Sequence, residues 1–192
     1  MISLLIAAVL LFSGELTARN IVVFAKGDTL ALQSGTAPAG LEDPEKDSLL
    51  AAFRAGLAPG LKFKNPMKLT DLPQWGRKIP GAGGIIQYRK SFHGGFILRV
   101  RLEGLAPDHK YIFTLNGNPE RAGNDNLVDP VPGNEKERYF DFFTAAMDPV
   151  GRYQAVFCIR LSPGPYDVRF YVKDTDDFKI VLYRDFFKFT VE

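Results

Sequence analysis

From Gly84 onward, apolar and polar positions alternate along the chain. GGFILRVRLEG puts Phe96, Leu98, Val100 and Leu102 on one face and Arg99, Arg101 and Glu103 on the other, the period of two expected of a strand with one face in water. KYIFTLNG repeats the pattern with Tyr111, Phe113 and Leu115, and ERYFDFFT sets Phe140 and Phe142 inward against Asp141. RYQAVFCIRL alternates Tyr153, Ala155, Phe157, Ile159 and Leu161 with polar or smaller neighbours, and PYDVRFYVKD does the same with Tyr166, Val168, Phe170 and Val172. With IIQYRKSF before them and FKIVLYRDFFKFTVE after, about seven strands are expected over residues 85–192. The last segment changes phase, Ile180 and Leu182 sharing one parity and Phe187, Phe189 and Val191 the other, which predicts a bulge near Asp185-Phe186. Strands this close together leave no room for helical crossovers, so the pattern predicts an all-β antiparallel sandwich.

Upstream the periods are shorter and mixed. Residues 21–32 hold two apolar pieces around Lys26-Gly27-Asp28, as in a hairpin or one irregular strand. PEKDSLLAAFRAGL places Leu49, Leu50, Phe53 and Leu57 on one helical face with acids in the first turn, so one short helix is expected over 44–57. The Pro- and Gly-rich stretch that follows has no period; it reads as a packed irregular segment anchored by the single Trp75 docking over the core, the alternatives being a linker or a carbohydrate-stacking role for Trp75. Residues 4–12 form an apolar run of signal-peptide length, too short to span a bilayer, which implies a secreted or extracytoplasmic protein. The expected organisation is thus a signal peptide or N-terminal anchor at 1–18, a less regular extension at 19–84, and the β-sandwich at 85–192.

Composition narrows the function classes. The 16 Phe and 7 Tyr reinforce the β reading. A formal charge of +2 lacks the concentrated basic excess of a nucleic-acid binder. One cysteine, Cys158, excludes an internal disulfide, and no motif calls for a cofactor.

GLAPDHKYIFTL, residues 104–115, resembles the Gly-Leu-x-Pro-x-x-x-Tyr turn and strand of fibronectin type III and related immunoglobulin-like sandwiches. The resemblance implies that Leu105 and Pro107 shape the turn and that Tyr111 packs at a sheet corner. LSPGPYDVRF is a second strand entry of similar style through Pro163, Gly164 and Tyr166. Such folds host adhesion, carbohydrate binding and accessory roles.

Candidate chemistry is sparse. His93, His109 and Cys158 lack close metal-ligand spacing, and His109 in PDHK reads as an exposed turn residue. Oxygen ligands are dense at Asn124, Asp125, Asn126 and Asp129 in the long connection 116–134, and at Asp174, Asp176 and Asp177 in KDTDD. Asp125 and Asp129 admit a calcium reading, but the same residue types build turns, and no metal is expected. Glu103, Glu120, Asp141 and Asp167 are candidate carboxylates for hydrolysis with no evident pairing. Arg99, Arg101, Arg160, Arg169 and Lys173 point outward as either a basic face or a set of charge pairs.

The function expected on these grounds is a non-enzymatic extracytoplasmic module. It would recognise a protein or carbohydrate partner through 116–134 and 174–178, with Tyr139 supplying apolar contact beside the loop. The alternatives are an extracellular hydrolase with paired carboxylates and a purely structural sandwich domain. Neither nucleic acid nor a membrane span beyond the N-terminal segment is expected.

Overall fold

The computed structural model describes residues 21–26, 29–34, 63, 66–72, 74–92, 95–117, 130–131, 134–161 and 164–191. In chain order the strands are β1 (Ile21–Lys26), β2 (Thr29–Ser34), β3 (Met67–Leu69), β4 (Gly83–Phe92), β5 (Gly95–Glu103), β6 (Lys110–Gly117), β7 (Pro130–Val131), β8 (Asn134–Ala146), β9 (Tyr153–Arg160), β10 (Gly164–Asp174) and β11 (Ile180–Val191). One sheet has the order β2-β1-β9-β5-β4-β3 and the other β11-β10-β6-β8-β7, with every pairing antiparallel. The all-β antiparallel sandwich expected from the alternation is the fold observed. The two apolar pieces on either side of Gly27-Asp28 form an antiparallel pair, β1 and β2. The helix expected over 44–57 and the segment 1–18 lie outside the described residues.

Alternation places the core between the sheets. Phe96, Leu98, Val100 and Leu102 meet Tyr111, Phe113 and Leu115 from the opposite layer, with Phe157, Ile159, Val168, Phe170 and Val172 completing the interior. Two phase changes are solved by bulges. At Asp185-Phe186 the register steps from Val168↔Phe187 to Phe170↔Arg184, so Phe187, Phe189 and Val191 turn back into the core as their parity requires. A second bulge steps from Phe113↔Phe143 to Thr114↔Asp141, which lets both Phe142 and Phe143 point inward.

The connections at one end are stitched together. Residues 70–82, 104–109, 147–152 and 175–179 all leave the sandwich on the same side, because each precedes the start of β4, β6, β9 or β11. The Arg77 amide donates to the Ile180 carbonyl at 2.8 Å, the Met147 amide to the His109 carbonyl at 2.9 Å, and the Leu105 amide to the Gly151 carbonyl at 3.2 Å. Gly104 has φ +70°, and a Cβ there would stand 2.2 Å from the Gly81 carbonyl oxygen, so the first and second connections touch backbone to backbone only because that residue is glycine.

Tyr111 fixes the second connection, as the turn resemblance implies. Its ring is fully buried, and its hydroxyl accepts a hydrogen bond from the Ala106 amide at 3.2 Å. Burial raises the Tyr111 hydroxyl above the ordinary tyrosine range; the Ala106 amide opposes this. Tyr111→Phe leaves the ring in place and orphans that amide, and should cost about 1 kcal/mol, read as a lower urea midpoint at unchanged slope.

Candidate functional site

The residues that converge are His109, Asp174 and Asp176. β10 pairs with β6 so that Asp174 stands opposite Tyr111, which brings the end of one strand beside the turn before the other. The His109 Nε2 lies 3.0 Å from Asp174 Oδ1. The Asp176 amide donates to the same oxygen at 2.8 Å, folding the 174–179 turn back on the carboxylate. One ligating atom from each of His109, Asp174 and Asp176 falls within 4.8 Å of the others.

Arg77 closes the cluster from the third side. Its guanidinium pairs with Asp174 Oδ2 and, at 3.2 Å, with Asp177 Oδ2. The Asp177 Oδ1 accepts the Lys179 amide at 3.0 Å, and the Thr175 hydroxyl donates to the Lys110 carbonyl at 3.0 Å. The His109 ring meets Tyr111 edge-on at 4.9 Å. Only 3 % of the Asp174 side chain is exposed, against 25 % for His109. Burial alone pushes the Asp174 carboxyl up, but the Asp176 amide, His109 and Arg77 together hold it below the ordinary carboxylate value. The result is a buried anion of fixed orientation beside a half-buried imidazole and an exposed second carboxylate, a donor set that suits a divalent metal or acid–base chemistry.

This cluster overturns the expectation of a non-enzymatic binding module and the leaning against enzymatic activity: three metal-competent or proton-transferring groups meet at one end of the sandwich. It also corrects the reading of His109 as a solvated turn residue. The bases of 116–134 and 174–178 stand at opposite ends of the β6–β10 pair. Gly117 stands opposite Val168 and Tyr111 opposite Asp174, so the long connection leaves β6 at the end remote from KDTDD, about 20 Å away along the strand.

The other candidate residues are dispersed. Asn124, Asp125, Asn126, Asp129, His93 and Glu120 lie outside the described residues. Tyr139 sits on the outer face of β8, 6.0 Å from the Tyr171 ring, with Lys173 Nζ 5.6 Å from its centre. Asp141 accepts from Lys173 Nζ at 2.6 Å and from the Thr114 hydroxyl at 2.6 Å, the charge-pair outcome for that face. Glu103 lines an open cleft with Arg101, Arg152 and Asp148, but the Asp148 carboxylate is committed to the Val150 and Arg152 amides of its own turn. Asp167 is buried on β10, 3.9 Å from Lys188 Nζ. Arg99 and Arg101 belong to one sheet and Arg169 and Lys173 to the other, so no single basic face unites them. Burial and the neighbouring Arg101 both lower the Arg99 pKa.

His109 and Asp174 are 65 residues apart in sequence, and no motif spacing links them. What joins them is strand pairing: Tyr111 and Asp174, each in phase with the inward residues of its own strand, stand opposite each other. Trp75, expected to dock over the core, is instead 72 % exposed. Comparison with known proteins finds no matching family model, no similar curated protein and no similar solved structure.

Proposed function

We propose that this chain is a hydrolase whose site is the His109–Asp174–Asp176 cluster, with a divalent cation as its working partner. The observation that carries the reading is the convergence of one imidazole nitrogen and two carboxylates within 4.8 Å, one of them the buried, doubly paired Asp174. His109, Asp174 and Asp176 would supply three ligands of the borderline-to-hard kind, the number of protein ligands that catalytic sites keep. Arg77 stays on Asp174 Oδ2 and keeps the carboxylate aimed. Bound there, the cation supplies Lewis acidity and lowers the pKa of a coordinated water. The chain's own part is to keep Asp174 ionised and to hold His109 Nε2 beside it; as the structure stands that nitrogen donates to Asp174 Oδ1, and a bound cation would take the place of its proton.

The sandwich supports a finer fold assignment as well. The three strands β4-β5-β9 face four strands in the order β8-β6-β10-β11. An immunoglobulin constant-type domain sets four strands against three, and moving its fourth strand to the other sheet yields this arrangement. Together with the Tyr111 corner this favours an immunoglobulin- or fibronectin type III-like domain. The apolar run at 4–12 supports export, so the proposed activity is an extracytoplasmic one.

Calorimetric titration with Mn²⁺ and Zn²⁺ tests the proposal. One cation per chain is expected, with His109→Ala weakening binding at least about ten-fold, the loss of roughly one ligand contact. Chelator should abolish turnover of chromogenic ester, phosphoester or glycoside substrates. The proposal fails if neither cation binds, or if binding survives His109→Ala unchanged.

A further inference from the structure

The described residues include three large apolar side chains that are mostly in water: Trp75 at 72 %, Phe178 at 64 % and Val150 at 64 % exposure. All three sit on connections at the end that carries the cluster, on 70–82, 175–179 and 147–152. Each tip is held rigidly. The Gly76 amide after Trp75 donates to the Leu72 carbonyl at 2.9 Å, and a Cβ at Gly76 would stand 2.5 Å from the Ile180 carbonyl oxygen. Val150 follows Pro149 in a turn closed by the Gly151 amide on the Asp148 carbonyl at 2.9 Å, with Gly151 at φ +72°. Phe178 closes its hairpin through its amide on the Asp174 carbonyl at 3.1 Å.

Phe178 is the position that local physics explains least. Its φ is +57°, a conformation that suits glycine or asparagine and strains a bulky side chain. Its ring is also left in water. Backbone and side chain both disfavour phenylalanine here, and nothing among the described residues accounts for it.

We infer that this end of the sandwich docks on a phospholipid bilayer, Trp75, Phe178 and Val150 entering the interface as separate loop tips. The arrangement is the reverse of a protein–protein interface, whose centre is apolar and whose rim is polar. Here the 104–110 connection with His109 lies in the middle, bonded to 174–179 on one side and to 147–148 on the other, and the apolar tips are peripheral. A bilayer interface accommodates that order, since aromatic rings settle at the headgroup level while charged groups between them remain hydrated. Charge at this end is nearly balanced. Among the described residues Lys110, Arg152 and Lys179 have no carboxylate partner, and Asp108 and Asp176 have no cation within ion-pair distance. Apolar insertion therefore dominates, and binding should depend only weakly on salt.

Trp75 is the single tryptophan, so its fluorescence reports directly on the proposed contact. The full chain is titrated with phosphatidylcholine vesicles carrying a minor fraction of phosphatidylserine, in excess chelator so that the outcome is independent of the cation site. A blue shift, reduced quenching by acrylamide and co-sedimentation with the vesicles are expected. Phe178→Asn should weaken co-sedimentation about ten-fold or more, the effect of withdrawing one ring from an apolar phase, with a Tm equal to or above that of the parent. Val150→Ser should weaken it less. An unshifted spectrum, binding undiminished in both variants, or binding abolished by moderate salt overturns the proposal.

Discussion

Asp174→Asn is expected to destabilise the domain by about 3 kcal/mol at neutral pH, the scale of a buried charged hydrogen-bond network broken at one partner. For a chain of this size that lowers Tm by about 10 °C. One carboxylate serves three donors: Arg77 on Oδ2, and His109 with the Asp176 amide on Oδ1. An amide of the same shape presents an NH₂ group to one of those sets, so either the guanidinium or the imidazole and backbone amide faces a donor instead of an acceptor. Because 70–82, 104–110 and 175–179 all meet at this carboxylate, the loss is shared by three connections at once. Cation binding should disappear with it.

Acidity provides the check that separates charge from shape. The Asp174 carboxyl is held below its ordinary value, against a burial effect that works the other way. A depressed carboxylate contributes stability that is present above the unfolded-state pKa of about 3.9 and is lost as pH falls through the folded-state value. The gap between the parent and Asp174→Asn, measured by urea midpoints, should be widest at neutral pH and close as pH drops below about 4. A gap of constant size down to pH 3 would mean that packing, not charge, makes the difference.

Much of the scaffold was legible because burial imposes parity. Val168, Phe170 and Val172 could face only one way, and the reversal between Leu182 and Phe187 could be reconciled with a single core only by an inserted residue, which the structure places at Asp185-Phe186. The site was not legible for a matching reason. His109 and Asp176 lie in turns, where alternation carries no information about which neighbour a side chain will meet. Their meeting is set by the register between β6 and β10, a long-range quantity that neither strand encodes alone. Trp75 misled through the same gap: an aromatic in a Pro-rich stretch ordinarily anchors it, but here the Arg77–Ile180 backbone bond and the Arg77–Asp174 pair hold the segment, leaving the ring free to serve the surface.

Phe113→Ala should cost about 4 kcal/mol, within the usual range for deleting a buried ring. Phe113 is fully buried on β6 and is surrounded by rings from both layers: Phe142, Phe143 and Phe170 on its own sheet, Tyr153 and Phe157 on the facing one, with centroids 5.4–6.3 Å away. Tyr153 and Phe157 meet it edge-on, so truncation removes oriented ring contacts as well as apolar area. Collapse cannot fill the space easily, because Phe142 and Phe143 are fixed by the bulge opposite Phe113–Thr114. Phe113→Leu, which keeps most of the volume, should cost about 1.5 kcal/mol or less. Phe113 lies two residues beyond Tyr111, on the same face of a strand whose turn is fixed independently by the Ala106 amide and the Asp174 pair. The core variant should therefore lower the urea midpoint while the folded protein binds cation with its affinity unchanged, whereas Asp174→Asn loses both. If Phe113→Ala weakens cation binding in proportion to its loss of stability, the cluster is not held by its own connections and the separation of scaffold from site fails.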